Sequence, residues 1–231
     1  MDNTTPDISE LAPLYPRAAA GRLMELLKPH ALPASPTAIS RGKRRYDFTL
    51  NGKSMLYLVV GGTYFARRRS DHKILCTVIS PIMIGWVGLE APQQLGVHTS
   101  DIAYLEGLYL ECRDAGQLLV LPLREAYRLV LEYNQLIDVM ELLSYHIKYL
   151  LCLMNDISDA SSREVVLKML SRLMTYPDEF RMSFTAVQFI EERCHLSRRT
   201  ILRELSRLRE EGNIDMDSRG RLLALHLLPE T

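Results

Sequence analysis

The chain reads as an α+β protein in three parts: an N-terminal β-barrel or jelly roll, a long helix with two apolar faces, and a C-terminal helix-turn-helix followed by a β-hairpin. Three observations predict this. Between Thr37 and Leu123, short apolar strands recur with Gly, Pro or Asn turns between them. From Pro122 to about Asp156, apolar residues return every three or four positions. Between Arg193 and Arg209, six arginines stand against one acid, Glu204, in a chain whose 28 Lys and Arg balance 28 Asp and Glu.

Composition narrows the class. The 231 residues, 47 % hydrophobic and 24 % charged, suit one large or two modest globular domains. No apolar run reaches the roughly eighteen residues of a membrane span, and Met1 to Pro6 has no basic or apolar leader character. A soluble, cytoplasmic protein with no membrane partner is expected. Cys76, Cys112, Cys152 and Cys194 lie far apart with no CxxC pair, which fits core filling in a reducing compartment. His98 and His146 belong to no HxH or HxxxH spacing, so neither a metal nor another cofactor is expected. The β region holds only His72 and His98, so a cupin-like metal enzyme lacks its ligands, and the chain is read as a non-enzyme.

The elements follow in order. Residues 1–36 are a polar, proline-containing tail and a short helix from Arg17 to Lys28, stopped by Pro29. Residues 37–123 form the β-roll. Its strands run over 46–50, up to an Asn51-Gly52 turn, over 55–60, ended by Gly61-Gly62, and over 73–79, 108–112 and 118–121. Two basic clusters, Arg41 with Lys43, Arg44 and Arg45, and Arg67 to Arg69, read as solvated strand edges. An acidic ligand or neighbouring DNA there is the sharper alternative.

Residues 124–156 read as one helix. Val130, Tyr133, Ile137, Met140, Ser144, Ile147, Leu151 and Met154 make a heptad-like seam, expected to meet the same helix of a second copy in a homodimer. A second edge, Leu131, Leu142, Leu143 and Leu150, would pack on the chain's own β-roll. A wholly intramolecular core helix is the alternative.

Residues 157–231 open with a helix from Ser161 to Tyr176 behind a Ser161/Glu164 capping box. Thr185 caps a shorter helix reaching Cys194. Ser197 then caps a second one, with Ile201, Leu202, Leu205 and Leu208 at apolar positions and Gly212 as the stop. Ile214 to Leu225 reads as a hairpin turning at Ser218-Arg219-Gly220. Two helices meeting at a tight turn, followed by such a hairpin, form a winged helix-turn-helix that places its second helix in the major groove. The candidate contacts to double-stranded DNA are Ser197, Arg198, Arg199, Thr200, Arg203 and Arg207 on the helix, with Arg219 and Arg221 at the hairpin tip. Arginine can bond guanine O6 and N7 together, which makes Arg198, Arg199 and Arg203 base-edge or phosphate readers. Thr200 fits a phosphate contact or a local cap.

Ser197-Arg198-Arg199-Thr200-Ile201-Leu202-Arg203 matches the pattern Ser-Arg-x-Thr-hydrophobic-x-Arg, and Leu208 to Ile214 matches Leu-x-x-x-Gly-x-Ile. With these motifs in this order, the whole chain resembles the CRP/FNR superfamily of bacterial transcription regulators. Phe184 to Pro229 is most similar to its divergent IprA-type winged-helix branch. The resemblance implies a cyclic-nucleotide-binding-like sensor domain and a homodimer that reads two operator half-sites about one helical turn (~34 Å) apart. It also implies RNA polymerase as a partner and a stress-responsive role. The departure lies in the sensor. Ile84 to Leu89 stands where the family has its phosphate-binding segment, and Trp86 takes the place of the ribose-binding Glu. Glu90 to Asp101 contains no Arg or Lys to meet a cyclic phosphate. Burying that anion without a cation is too costly, so a degenerate sensor that does not bind cyclic nucleotide is expected. Arg199 stands where many relatives carry Glu, so the familiar operator is not expected. A protein-interaction scaffold on the same fold is the competing function, and salt-insensitive binding would mark it.

Overall fold

The computed structural model describes residues 15–40, 42–87, 107–157 and 161–226, with the side chains of 153–157 excepted. These residues form two compact units, one of 16–144 and one of 145–226 with Tyr15.

In the first unit, α1 (Arg17–Leu27) buries Ala19, Ala20, Leu23 and Leu27, the stripe that helical spacing dictates. The strands are β1 (Leu32–Pro33), β2 (Ala38–Ser40), β3 (Lys43–Asp47), β4 (Thr49–Leu50) and β5 (Lys53–Gly61). They continue with β6 (Thr63–Arg68), β7 (Ile74–Ile79), β8 (Ile82–Ile84), β9 (Leu108–Cys112) and β10 (Gln117–Pro122). Two antiparallel sheets result, β1-β10-β5-β4 with β8 also on β5, and β2-β3-β9-β6-β7. Their inner faces share one core, in which Tyr46, Phe48, Tyr57 and Tyr64 meet edge to face at centroid distances of 5.7–6.3 Å. The expected β-roll is therefore present. Asn51 and Gly52 both have positive φ (51° and 72°), as a two-residue hairpin of type I′ requires. Gly62 (φ +84°) ends the apolar strand because a Cβ there would come within 2.4 Å of the Gly116 Cα.

Thr63–Arg68 carries no strand in the sequence reading, yet β6 lies inside its sheet between β9 and β7. Its arginines are not simply solvated. Arg67 is buried, and its Nε donates to Glu111 Oε1 at 3.0 Å, an oxygen that also accepts from Lys43 Nζ at 3.0 Å. Arg68 pairs with Asp71 and Arg69 with Asp47. No polar–apolar alternation marks this strand because its outward Phe65 and Arg67 are buried along with its inward Tyr64 and Ala66. Arg41 and His98 lie outside the described residues, as does the 90–101 stretch.

The single long helix is two helices. α2 (Leu123–Glu132) ends at Tyr133, and α3 (Leu136–Ile157) starts after Asn134, whose φ is +56°. The N–H groups of Asn134 and Gln135 donate to the Leu131 and Val130 carbonyls at 3.3 and 2.9 Å, the paired bonds of a Schellman stop. This interrupts the proposed seam and takes Val130 out of it. Val130 is fully buried on the inner side of α2 with Ala126 and Leu129, and Tyr133 sits in the connection. Apolar spacing stayed in phase across the break, so periodicity alone did not show it. Ile137, Met140, Ser144, Ile147 and Leu151 remain as one exposed stripe on α3. Met154 lies outside the residues whose side chains are described. Of the second edge, Leu142 is buried and Leu143 partly so, whereas Leu131 and Leu150 are exposed. Arg22 of α1 grips Asp138 in the first turn of α3 through two bonds of 3.0 and 2.6 Å, which fixes where α3 begins.

In the second unit, α4 (Ser162–Met174) starts with the expected capping box. Ser161 Oγ accepts from the Glu164 N–H at 3.3 Å, and Glu164 Oε2 accepts from the Ser161 N–H at 2.6 Å. α5 (Asp178–Arg181), α6 (Ala186–Glu191) and α7 (Arg198–Glu210) follow, and then the hairpin β11 (Ile214–Met216) and β12 (Leu222–Leu225). Helices α4, α6 and α7 pack on one another in pairs, and β12 lies on α4. The result is a three-helix core with a wing.

Candidate nucleic-acid interface

Thr185 caps α6 by accepting from the Gln188 N–H at 3.1 Å. The helix ends at Glu191, short of the expected Cys194, so residues 192–196 form the turn. Phe189 and Ile190 on α6 and Ile201, Leu205 and Leu208 on α7 are buried, which holds the two helices together. Leu202 departs from the expected apolar stripe and is exposed.

Ser197 is extended (φ −68°, ψ 149°) and closes the first turn of α7. Its Oγ accepts from the Thr200 N–H at 3.1 Å, and the two hydroxyl oxygens are 2.9 Å apart. Both side chains are thus engaged in capping. At the other end Gly212 (φ +73°) and Asn213 donate to the Arg209 and Leu208 carbonyls at 3.1 and 2.9 Å.

The six arginines of the cationic segment separate into three kinds. Arg193 faces inward. Its guanidinium stands 3.6 Å from the centre of the Phe189 ring, and its Nη1 donates to the Phe189 carbonyl at 3.0 Å. Burial pushes its pKa down to about 10, and its position braces the aromatic core beneath the turn. Arg198, Arg203 and Arg207 are exposed but tethered. Arg198 Nη1 lies 2.8 Å from Glu191 Oε2. Arg203 donates twice to Glu204 Oε1, at 3.0 and 2.9 Å, and Arg207 Nη1 is 3.6 Å from Glu204 Oε2. Among the described residues, Arg199 and Arg209 have no ion-pair partner, and the same holds for Arg219 on the hairpin. The exposed Arg198–Glu191 pair holds weakly, so that guanidinium can exchange its carboxylate for a phosphate, whereas Arg203 and Arg207 are held over the buried Glu204 carboxylate, whose charge they balance.

The hairpin separates its two arginines more sharply. Asp217 Oδ1 accepts the backbone N–H groups of Arg219 and Arg221, both at 2.9 Å, while Oδ2 takes Arg221 Nε at 2.7 Å. Arg221 Nη1 also donates to the Met182 carbonyl at 3.3 Å. Arg221 therefore belongs to the frame of the turn, and Arg219 projects from it, exposed. The Gly220 carbonyl accepts the Ala186 N–H at 2.8 Å, which ties the wing to the start of α6. Arg181 adds a second tie, with Nη1 donating to the Leu222 and Leu223 carbonyls at 3.0 and 2.7 Å.

Sequence reasoning passed over Glu204, Asp217 and Arg181, which orient the cations. The signal for Glu204 was visible, since a lone acid among arginines on an amphipathic helix must face either the core or its neighbours. A further pair, Arg163 Nη1 with Glu211 Oε1 at 3.0 Å, links α4 to the end of α7 and holds the Glu211 carboxyl below its ordinary range.

Residues 162–230 match the sequence family described as winged helix-turn-helix DNA binding. No curated protein matches the chain. Among solved structures, the chain is similar to the c-di-GMP-responsive global regulator CLP of Xanthomonas campestris (TM-score 0.59, 16% identity), covering 90% of this chain and 100% of that one. It is also similar to a CooA mutant from Carboxydothermus hydrogenoformans (TM-score 0.58, 14% identity; 80% and 83% covered). A transcriptional regulator of the CRP/FNR family from Eubacterium rectale aligns with a TM-score of 0.51 at 14% identity, covering 88% and 89%. At these identities the likeness is one of fold: a cyclic-nucleotide-binding-like sheet domain followed by a winged helix-turn-helix.

Proposed function

We propose that this chain is a DNA-binding transcription regulator of the CRP/FNR type that acts as a homodimer and has no enzymatic role. The observation that carries the reading is the set of exposed arginines on α7 and the hairpin, displayed by a packed winged helix-turn-helix in a chain of zero net charge. Local positive charge of this kind meets phosphates, and a rigid helix carries it into the major groove. Arg198, Arg199 and Arg203 take the base-edge and phosphate contacts, Arg207 and Arg219 the flanking phosphates. Ser197, Thr200 and Arg221 act by holding the helix start and the wing in place.

The exposed stripe Ile137, Met140, Ser144, Ile147 and Leu151 supports pairing through α3, since apolar residues at this spacing on an exposed helix face need a cover. On this reading 37–123 is the sensor, 124–156 the dimerisation segment and 157–231 the DNA-binding domain. A degenerate sensor that does not take cyclic nucleotide is supported by the buried Trp86, whose ring lies 5.6 Å from that of Tyr127, and by tyrosine rings filling the roll. The IprA-type branch, a stress signal, RNA polymerase as partner and a cytoplasmic location complete the proposal. No helix among the described residues is long and apolar enough to cross a membrane.

The test is selection of duplexes from a random-core pool by the full-length protein, with affinities measured across salt. A two-half-site consensus with affinity falling steeply as salt rises is expected. Recovery of no sequence, or binding indifferent to salt, overturns the reading.

A further inference from the structure

Leu202 is the anomalous residue of α7. The apolar neighbours Ile201, Leu205 and Leu208 are buried, whereas Leu202 is 46 % exposed. Arg198 and Arg199 one turn before it, Ser206 one turn after it and the adjacent Arg203 are exposed as well, while Leu205 turns to the core. An isobutyl group therefore stands in the middle of the cationic face. A lone exposed leucine carries no message by itself, so its surroundings decide its meaning. Arg198 is drawn toward Glu191 and Arg203 toward Glu204. Arg199, three residues before Leu202 and so adjacent to it on the helix surface, has no ion-pair partner among the described residues. Arg199 and Leu202 thus form the part of the face least committed to the protein itself.

The charge around Leu202 selects a polyanion as the occupant, and the width of an α-helix selects the major groove of a duplex. That groove offers one apolar group, the C5-methyl of thymine. Leucine has no donor or acceptor and cannot distinguish bases by hydrogen bonding. We propose that Leu202 is a base-reading residue that packs on a thymine methyl group, beside a base or phosphate held by Arg199. This rests on the DNA-binding reading above and adds the chemistry it recognises.

The experiment uses the full-length protein and the consensus duplex recovered from the random-core pool. Each thymine in turn is replaced by deoxyuridine, which removes the methyl and keeps every hydrogen-bonding group. For the wild type, one thymine per half-site is expected to cost about fourfold in affinity, the factor that follows from burying one methyl-sized group. Leu202→Ala is expected to bind the thymine and uracil duplexes alike, with an unchanged thermal midpoint because the side chain is exposed. Equal wild-type affinity for both duplexes at every position overturns the proposal. So does a Leu202→Ala protein that keeps the full thymine preference, or one that weakens on both duplexes while keeping their ratio. If no duplex is recovered at all, the DNA-binding reading itself fails, an outcome distinct from these.

Discussion

Replacing Arg219 and Arg221 by alanine, one at a time, separates a cation that meets DNA from one that builds the wing. The two look equivalent in sequence, two residues apart at a hairpin tip. In the structure the Arg219 side chain is exposed and has no ion-pair partner among the described residues, while its backbone N–H donates to Asp217 Oδ1. Arg221 spends its guanidinium on Asp217 at 2.7 Å and on the Met182 carbonyl at 3.3 Å. A phosphate contact contributes about 0.9 to the slope of log affinity against log salt, so one contact is worth roughly 3.5-fold between 50 and 200 mM. With two wings engaged the factor is roughly twelvefold. Arg219→Ala is therefore expected to flatten the slope by about 0.9 per wing while leaving the thermal midpoint in place. Arg221→Ala is expected to lower the midpoint. That penalty has a pH signature. The Asp217 carboxyl is held below its ordinary value of 3.8, first by the Arg221 backbone N–H and also by its guanidinium. The pair's stabilisation is thus present at neutral pH and is lost as pH falls below that ordinary value. Fluorescence anisotropy of the selected duplex across a salt series, with thermal melts in parallel, reads both effects. Identical slopes for the wild type and Arg219→Ala would refute the reasoning, as would an Arg221→Ala protein that flattens the slope without melting earlier.

Two further outcomes are expected. Ile147→Glu places a charge in the exposed stripe of α3, where the isoleucine is 56 % exposed; sedimentation should show monomers with an unchanged circular dichroism spectrum, and a persistent dimer would take this stripe out of the interface. Ser197→Ala removes the acceptor for the Thr200 N–H and should cost about 1 kcal/mol, lowering the midpoint of the winged-helix unit by roughly 4–8 °C. Ser197→Gly should cost only a few tenths of that, and an equal loss from both would contradict the capping role.

Much of the candidate site was legible because it is local. A helix cap needs one side chain and one N–H within three residues, so Ser161, Thr185 and Ser197 announced themselves, as did the Asn51-Gly52 turn and the glycine stop at Gly212. The order of roll, helices and winged helix-turn-helix was likewise contained in strand spacing and helical periodicity. Those signals repeat within a few residues and survive without knowledge of the partner element.

Tertiary structure decided what each cation does. Arg193, Arg203 and Arg219 are the same residue type in one short region. One is sandwiched against Phe189, one is tied to the buried Glu204, and one is left to solvent. Likewise Val130 and Ile137 share a heptad phase, but the left-handed Asn134 between them turns one into core and leaves the other exposed. The sequence by itself determined the capped helix starts at Ser161, Thr185 and Ser197, the Gly212 stop, the Asn51-Gly52 turn and the charge contrast, because these depend on neighbours along the chain. Which arginine is free, and which apolar residue lacks cover, depends on groups brought together by packing. Leu202 belongs to that second class, since only the placement of Ile201, Leu205 and Leu208 in the core showed that the fourth apolar residue faces outward.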